Sequence, residues 1–125
     1  MNNKQIVENF WRTMATNDFH AAAALLHDDY ILEWPQSGER IRGRDNFAAI
    51  NTNYPAEGEW RFTVHQIVAE GDVVVSDVTA TDGKMIGRVI TFSTIRDGEI
   101  WEQVEFWPDP FEAPAWRTQW IEKMD

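Results

Sequence analysis

Apolar residues near the start of the chain recur every three to four positions, which is the spacing of one helix face. The residues on this stripe are Ile6, Val7, Phe10, Trp11 and Met14. The pattern predicts an amphipathic helix over about residues 3–15. Asn17 or Asp18 then suits the N-cap of a second helix, because short polar side chains accept hydrogen bonds from free backbone N–H groups. Two helices are therefore predicted to open the fold.

A β-rich stretch over residues 29–34 follows, and Pro35 ends it because proline cannot donate to a sheet ladder. Gln36, Ser37 and Gly38 supply turn chemistry, so residues 39–43 are predicted to return as a short strand. A third short helix is predicted from there to Pro55.

The rest of the chain alternates apolar and polar positions with a period of two, as strands do. Its four runs are residues 60–64, 73–81, 86–95 and 100–107, and Asp/Gly pairs that suit tight turns separate them. These runs predict a meander of four adjacent antiparallel strands. A proline-rich stretch, residues 107–114, precedes a short helix in which Trp116 and Trp120 share a face. Helices followed by a meander indicate an α+β fold, predicted as one domain over residues 1–125.

Composition narrows the range of functions. Eleven Lys plus Arg stand against twenty-one Asp plus Glu, and a net charge of −10 argues against binding nucleic acid or anionic membranes. The chain has no cysteine, which excludes disulfides and thiolate chemistry. No signal-peptide pattern or membrane-spanning apolar run occurs, so the expected location is cytoplasmic. Seven Trp and seven Phe favour an apolar pocket or interface.

The order of the predicted elements resembles the cone-shaped fold of the nuclear transport factor 2-like superfamily, and two stretches resemble its SnoaL-like (polyketide cyclase-like) branch. These stretches are His27-Asp28-Asp29-Tyr30 through Gly43-Arg44, and Asp97-Gly98-Glu99-Ile100 through Glu105-Phe106-Trp107. The resemblance implies a curved antiparallel sheet with the amino-terminal helices on its concave face. It leaves the activity open, because the superfamily includes isomerases, cyclases, dehydratases, epoxide hydrolases and non-catalytic binders.

Two known active sites of this superfamily do not match the chain. Ketosteroid isomerases carry a Tyr and two Asp where the alignment places Phe10, Trp34 and Thr91. Limonene epoxide hydrolases carry an Arg and an Asp two residues apart, whereas here Arg88 is followed at that spacing by Ile90. The SnoaL-group cyclases depend on an acidic residue late in the sheet, for which Glu102 and Glu105 are the nearest candidates.

Strand alternation, anchored on Trp34 and Thr91, predicts which side chains face the cavity. Two carboxylates fall in this inward set, Asp77 and Glu105, and burial would raise a carboxyl pKa toward the range useful for general acid/base catalysis. His65 is a third catalytic candidate because of its intrinsic pKa. The predicted substrate-binding residues are Trp34, Trp107, Trp11, Leu32, Val75, Thr91 and Gln103.

Each candidate also has a structural interpretation. The carboxylates would then lie at the rim, paired with Arg61 or Arg88, and His65 would point away from the apolar face formed by its neighbours. The tryptophans would simply fill the core of the cone. Neither a metal nor a cofactor is expected, since the chain lacks cysteine and shows no His spacing typical of metal sites.

The sequence thus predicts a pocket for a small apolar or aromatic molecule. The first hypothesis is an enzyme of the lyase, isomerase or cyclase type without a cofactor; the alternatives are a non-catalytic binding module and a protein-interaction domain. Apolar residues at outward positions of the last two strands predict a homodimer through the outer sheet face. They are Ile86, Ile90, Phe92, Val104 and Phe106. The substrate and the reaction stay open.

Overall fold

The computed structural model describes residues 1–124 and consists of three α-helices, six strands and one 3-10 helix within that range. The helices are α1 (Asn3–Met14), α2 (Phe19–Ala23) and α3 (Arg44–Asn53). The strands are β1 (Leu26–Trp34), β2 (Glu39–Arg42), β3 (Arg61–Glu70), β4 (Val73–Thr81), β5 (Ile86–Arg96) and β6 (Glu99–Phe106). The 3-10 helix covers Ala115–Trp120.

The amino-terminal helices form where the apolar stripe and the caps predicted them. In α1, the Asn2 side chain accepts from the Gln5 backbone N–H while the Gln5 side chain accepts from the Asn2 backbone N–H. Asp18 caps α2 by accepting from the Ala21 N–H. The buried side chains of α1 are Val7, Phe10, Trp11 and Met14, which are four of the five predicted stripe residues.

The six strands form one curved sheet in the order β2-β1-β6-β5-β4-β3. Strands β3 to β6 are adjacent and antiparallel, which confirms the predicted meander. Strand β1 lies parallel to β6 and antiparallel to β2, so the first strand of the chain joins the last one. The helices pack on the concave face of this sheet, and the fold is the predicted α+β cone.

The register of β4 against β5 corrects one part of the sequence prediction. Ser76 pairs with Thr91, and directly paired residues share a face of the sheet. The inward residues of β4 are therefore Val74, Ser76, Val78 and Ala80, all of them buried. The expectation that Val75 and Asp77 face the cavity is wrong, because odd-numbered residues of β5 lie beside even-numbered residues of β4.

Bulges set the orientation of side chains in two other strands. The β5–β6 register shifts by one residue between the pairs Ile95–Ile100 and Thr94–Glu102, which restores inward orientation to Gln103 and Glu105. A second bulge interrupts β3 between Val64 and Gln66, at the position of His65. One bulge thus brings a carboxylate inward, and the other lies on an exposed part of the edge strand.

The chain after β6 is exposed over residues 108–116. Trp116 and Trp120 lie in a 3-10 helix and are 72% and 71% exposed. Neither Trp is buried by the rest of the chain. Within residues 1–124, no helix combines the length and the apolar character that a membrane crossing requires.

Candidate active site

A cavity of about 920 Å³ opens between the helices and the concave face of the sheet. Nine aromatic residues from the helices, the strands and the loop before β3 line it, and the carboxylate of Glu105 lies among them. These aromatic residues are Phe10, Trp11, Phe19, Trp34, Phe47, Tyr54, Trp60, Phe62 and Trp107. Such a concave, mostly apolar cavity with a single buried carboxylate is typical of small-molecule sites.

Glu105 is 8% exposed and accepts three side-chain hydrogen bonds. Its Oε1 accepts from the indole N–H of Trp34 and from that of Trp107, both at 3.0 Å. Its Oε2 accepts from the Thr91 hydroxyl at 2.7 Å. The carboxylate is therefore held in one orientation by donors on both of its oxygens.

The sheet register brings these donors together. Thr91 on β5 is the direct cross-strand partner of Glu105. On the other side of β6, Glu33 of β1 pairs with Val104 in parallel, so the next residue of β1, Trp34, lies beside Glu105. Trp107 lies two residues further along and so points to the same face. Three neighbouring stretches of backbone thus converge on one carboxylate.

Burial dominates the electrostatics of this carboxylate. Desolvation raises the pKa of Glu105 above its usual value, and the hydrogen bonds from Thr91, Trp34 and Trp107 oppose that rise by stabilising the anion. Tyr30 lies deeper, and its phenol pKa is also raised, first by burial and then by the charge of Glu105. The net result is a carboxyl group whose proton is held more tightly than in water.

The two oxygens of Glu105 differ in what they can still accept. An indole N–H can only donate, so the two indoles occupy the acceptor capacity of Oε1. Oε2 accepts one hydrogen bond and keeps one lone pair. A proton taken from a bound molecule would therefore reside on Oε2.

A buried polar network supports the site from below. The Tyr30 hydroxyl donates to Gln103 Oε1 at 2.6 Å, and Gln103 Nε2 donates to the Ser93 hydroxyl at 3.1 Å. Farther along the sheet, the Trp11 indole donates to the Ser76 hydroxyl at 3.1 Å and ties α1 to β4. No buried side-chain polar atom within residues 1–124 lacks a partner, so the inner face is polar but satisfied.

Comparison with known proteins identifies the family. The family model described as the SnoaL-like domain matches residues 7–103, which is most of the chain. The chain belongs to the SnoaL-like domain family. A search of the curated proteins finds none that matches it.

Solved structures place this SnoaL-like chain among nuclear transport factor 2-like folds. A candidate ketosteroid isomerase from Kribbella flavida is 29% identical with a TM-score of 0.90, and the match covers 98% of this chain and 90% of that one. A nuclear transport factor 2-like protein of unknown function from Burkholderia xenovorans is 30% identical with a TM-score of 0.80, over 98% and 95% of the chains. An epoxide hydrolase of the limonene type from M. tuberculosis is 24% identical, with a TM-score of 0.69 over 85% and 82%.

The structure of the SnoaL-like domain separates the predicted catalytic residues. Glu105 faces the cavity as predicted, whereas Asp77 lies on the outer sheet face, where the Arg88 guanidinium donates to both of its oxygens. That bond lowers the pKa of Asp77. His65 is exposed at the β3 bulge and contacts the Thr79 hydroxyl at 2.7 Å, also on the outer face. The prediction that Asp77 and His65 act as catalytic residues at the cavity is therefore wrong in its placement of both side chains.

The predicted substrate-binding residues also divide. Trp11, Leu32, Trp34 and Trp107 line the cavity. Thr91 and Gln103 face inward but are buried beneath the lining, where they position Glu105 and Tyr30. Val75 is on the outer face for the same register reason as Asp77.

The predicted substrate-binding residues omit several parts of the site. Tyr30 is not among them, although it shares the alternation of Leu32 and Trp34 along β1. The cavity walls contributed by α3 and by the loop before β3 are also outside that set, because their contact with the sheet depends on long-range packing. Among residues 1–124, no group of three or more His, Asp or Glu side chains is arranged to hold a metal ion.

Proposed function

We propose that this SnoaL-like domain is an acid/base enzyme of the isomerase or cyclase kind, in which Glu105 carries a proton to or from a small, ring-containing apolar substrate. The observation that supports this most strongly is the single carboxylate at the inner end of an aromatic cavity, buried and oriented by three donors. A buried carboxylate with a raised pKa is suited to general acid/base catalysis near neutral pH.

The chemistry follows from the surroundings of Glu105. Because Oε1 is saturated by indole donors, Oε2 is the oxygen that exchanges the proton, and Thr91 stays bonded to it. The flat walls formed by Trp34 and Trp107 would hold a ring beside this oxygen, which replaces a bimolecular encounter with a fixed geometry. A ring bound between these aromatic side chains would displace water from Glu105, which would strengthen the basicity of the anion.

The relatives support a small-molecule site in this fold and do not point to one reaction. The Kribbella flavida protein is described as a candidate ketosteroid isomerase, and the M. tuberculosis protein as an epoxide hydrolase of the limonene type. In this chain, Trp34 and Thr91 stand where the resemblance places the two isomerase carboxylates, and both side chains donate to Glu105 on the strand between them. We infer that Glu105 takes the role of proton carrier in their place.

The alternative is a non-catalytic binding module of the same fold. One observation favours it: within residues 1–124, the cavity lining contains no Lys or His that could serve as a second acid/base group beside Glu105. In that case the carboxylate would only hydrogen-bond or pair with a ligand. The following experiment separates the two functions.

Proton abstraction can be tested with 5-nitrobenzisoxazole, an apolar bicyclic carbon acid. Transfer of its C3 proton to Glu105 breaks the C–H bond; the released electron pair forms a nitrile, and the ring N–O bond breaks to give a coloured phenolate. The protein is expected to exceed the rate of equimolar acetate by more than about 100-fold, the usual contribution of a positioned base. A rate equal to that of acetate would contradict the enzyme and favour the binding module.

A homodimer through the outer sheet face completes the proposal. Ile86 is 73% exposed and Phe92 is 43% exposed, and Phe92 contacts Phe106 edge to face at a centroid distance of 6.3 Å. An apolar sheet surface of this kind is most simply covered by a second copy. Sedimentation should give twice the chain mass of 14.5 kDa, and Phe92→Asp should reduce it to one chain. A wild-type protein that sediments as a single chain would contradict the dimer.

A further inference from the structure

Within residues 1–124, no cationic side chain bonds the carboxylate of Glu105. Of the cavity-lining residues in the described part of the chain, Arg88 is the single Lys or Arg, and its guanidinium is bonded to Asp77 on the outer face. The three groups that bond Glu105 are neutral donors. Buried charges in proteins are normally paired, so the ionised form of Glu105 lacks a partner that a ligand can supply.

The walls of the cavity suit a cation for a separate reason. Nine aromatic rings line it, and the faces of Trp, Tyr and Phe attract positive charge through their quadrupoles. Trp34 and Trp107 turn their indole N–H edges toward Oε1 of Glu105. These edges carry the positive potential of the two rings, so a cation beside Oε2 of Glu105 would take its cation–π contacts from ring faces elsewhere in the lining.

The remaining charges of the cavity have the same sign. Glu39 and Asp109 belong to its lining, so three carboxylates stand against the one neutralised Arg88. The whole chain carries a net charge of −10. This field repels anionic ligands from the mouth and attracts cationic ones.

We propose that the cavity binds an organic ammonium compound, with an apolar ring against the aromatic walls and the positively charged nitrogen next to Glu105. This inference rests on the proposed function, because it takes the cavity as the substrate site, and it adds the chemical class of the substrate. In its ionised form, before it accepts a proton, the carboxylate is the counter-ion that positions the substrate.

The test compares two probes of the same shape. Phenyltrimethylammonium carries a permanent charge, and tert-butylbenzene is its uncharged isostere, so their difference in affinity isolates the effect of charge. Binding is followed by quenching of the tryptophan fluorescence at pH 8, with calorimetry as a second measurement. The wild-type protein is expected to prefer the cation by about tenfold or more, as a desolvated cation–π contact plus a counter-ion implies.

Glu105→Gln is the matched variant, because the amide oxygen can accept both indole bonds and the amide nitrogen can donate to Thr91. The preference for the cation should disappear in this variant and persist in Glu102→Gln, which removes the same charge from an outward position of the same strand. In wild-type protein it should also weaken as the pH falls through the pKa of Glu105, since the probe itself does not titrate.

Three outcomes would overturn the ammonium class: equal affinity for both probes, a preference that survives in Glu105→Gln, or no binding of the cation. Tight binding of tert-butylbenzene alone would leave the proposed function standing, because the cavity would still accept an apolar ring. Conversely, the cation could bind while no proton is abstracted from 5-nitrobenzisoxazole. This result would contradict the proposed enzyme activity and would support the ammonium site. The two proposals can therefore fail separately.

Discussion

Glu105→Gln is expected to lower kcat for the elimination of 5-nitrobenzisoxazole by about 100- to 10,000-fold, the range that a positioned general base contributes. Glutamine has the same shape and can keep all three hydrogen bonds, but it cannot accept a proton at the nitrogen that replaces Oε2. The loss should appear in kcat with little change in KM, because the ring still contacts the same walls. Initial rates from pH 4 to pH 9 measure it.

The matched control for this variant is Glu102→Gln. Both changes remove one carboxylate from β6, but Glu102 points away from the cavity. Its rate should stay within about twofold of wild type, as expected for a surface charge that is screened by solvent. Equal losses in both variants would indicate a general effect of charge, and an unchanged rate in Glu105→Gln would exclude Glu105 as the base.

Trp34→Phe and Trp107→Phe are each expected to lower the activity on the rising limb of the pH–rate profile by about tenfold. Phenylalanine keeps an aromatic wall but removes an N–H that donates to Oε1 at 3.0 Å, and a hydrogen bond to an ionised group contributes about 1.5–3 kcal/mol. Loss of the donor destabilises the anion and raises the pKa of Glu105 further. Glu105 is therefore ionised only at higher pH, and the rising limb of the pH–rate profile moves to higher pH.

Trp101→Phe is the control for the indole variants. Trp101 lies on the same strand at the β5–β6 bulge, where its ring packs against the Arg96 guanidinium at 4.8 Å and makes no bond to Glu105. Its pH–rate profile should match that of wild type. If the rising limb of the pH–rate profile stays in place in both Trp34→Phe and Trp107→Phe, the indole N–H groups do not influence the pKa of Glu105.

The fold could be predicted from local patterns because each element carries its own signal. The α1 stripe, the Asp18 cap and the Asp97-Gly98 turn all appear in the structure at the predicted positions. The pairing of β1 with β6 could not be obtained this way, since the two strands are about seventy residues apart and lie parallel. The family resemblance implied a curved antiparallel sheet, and the parallel pairing of β1 with β6 was not predicted.

The candidate site shows where alternation fails. The β4–β5 connection, residues 82–85, contains an even number of residues, so inward positions change from odd on β5 to even on β4. The Asp82-Gly83 turn already implied this, and counting across it would have moved Asp77 to the outer face. At β5–β6 the tight turn alone would have given the wrong face for Glu105, and the bulge beside Ile95 corrected it. A bulge of that kind has no signature in one sequence.

The most direct test is a titration of the Glu105 carboxyl carbon by ¹³C NMR, with Glu105→Gln to assign its signal. Its midpoint should lie clearly above about 4.3, the ordinary value for glutamate, and should rise further in Trp34→Phe. A midpoint at or below the ordinary value would mean that the carboxylate is as stable in the cavity as in water. The role of Glu105 as a proton carrier would then have no physical basis.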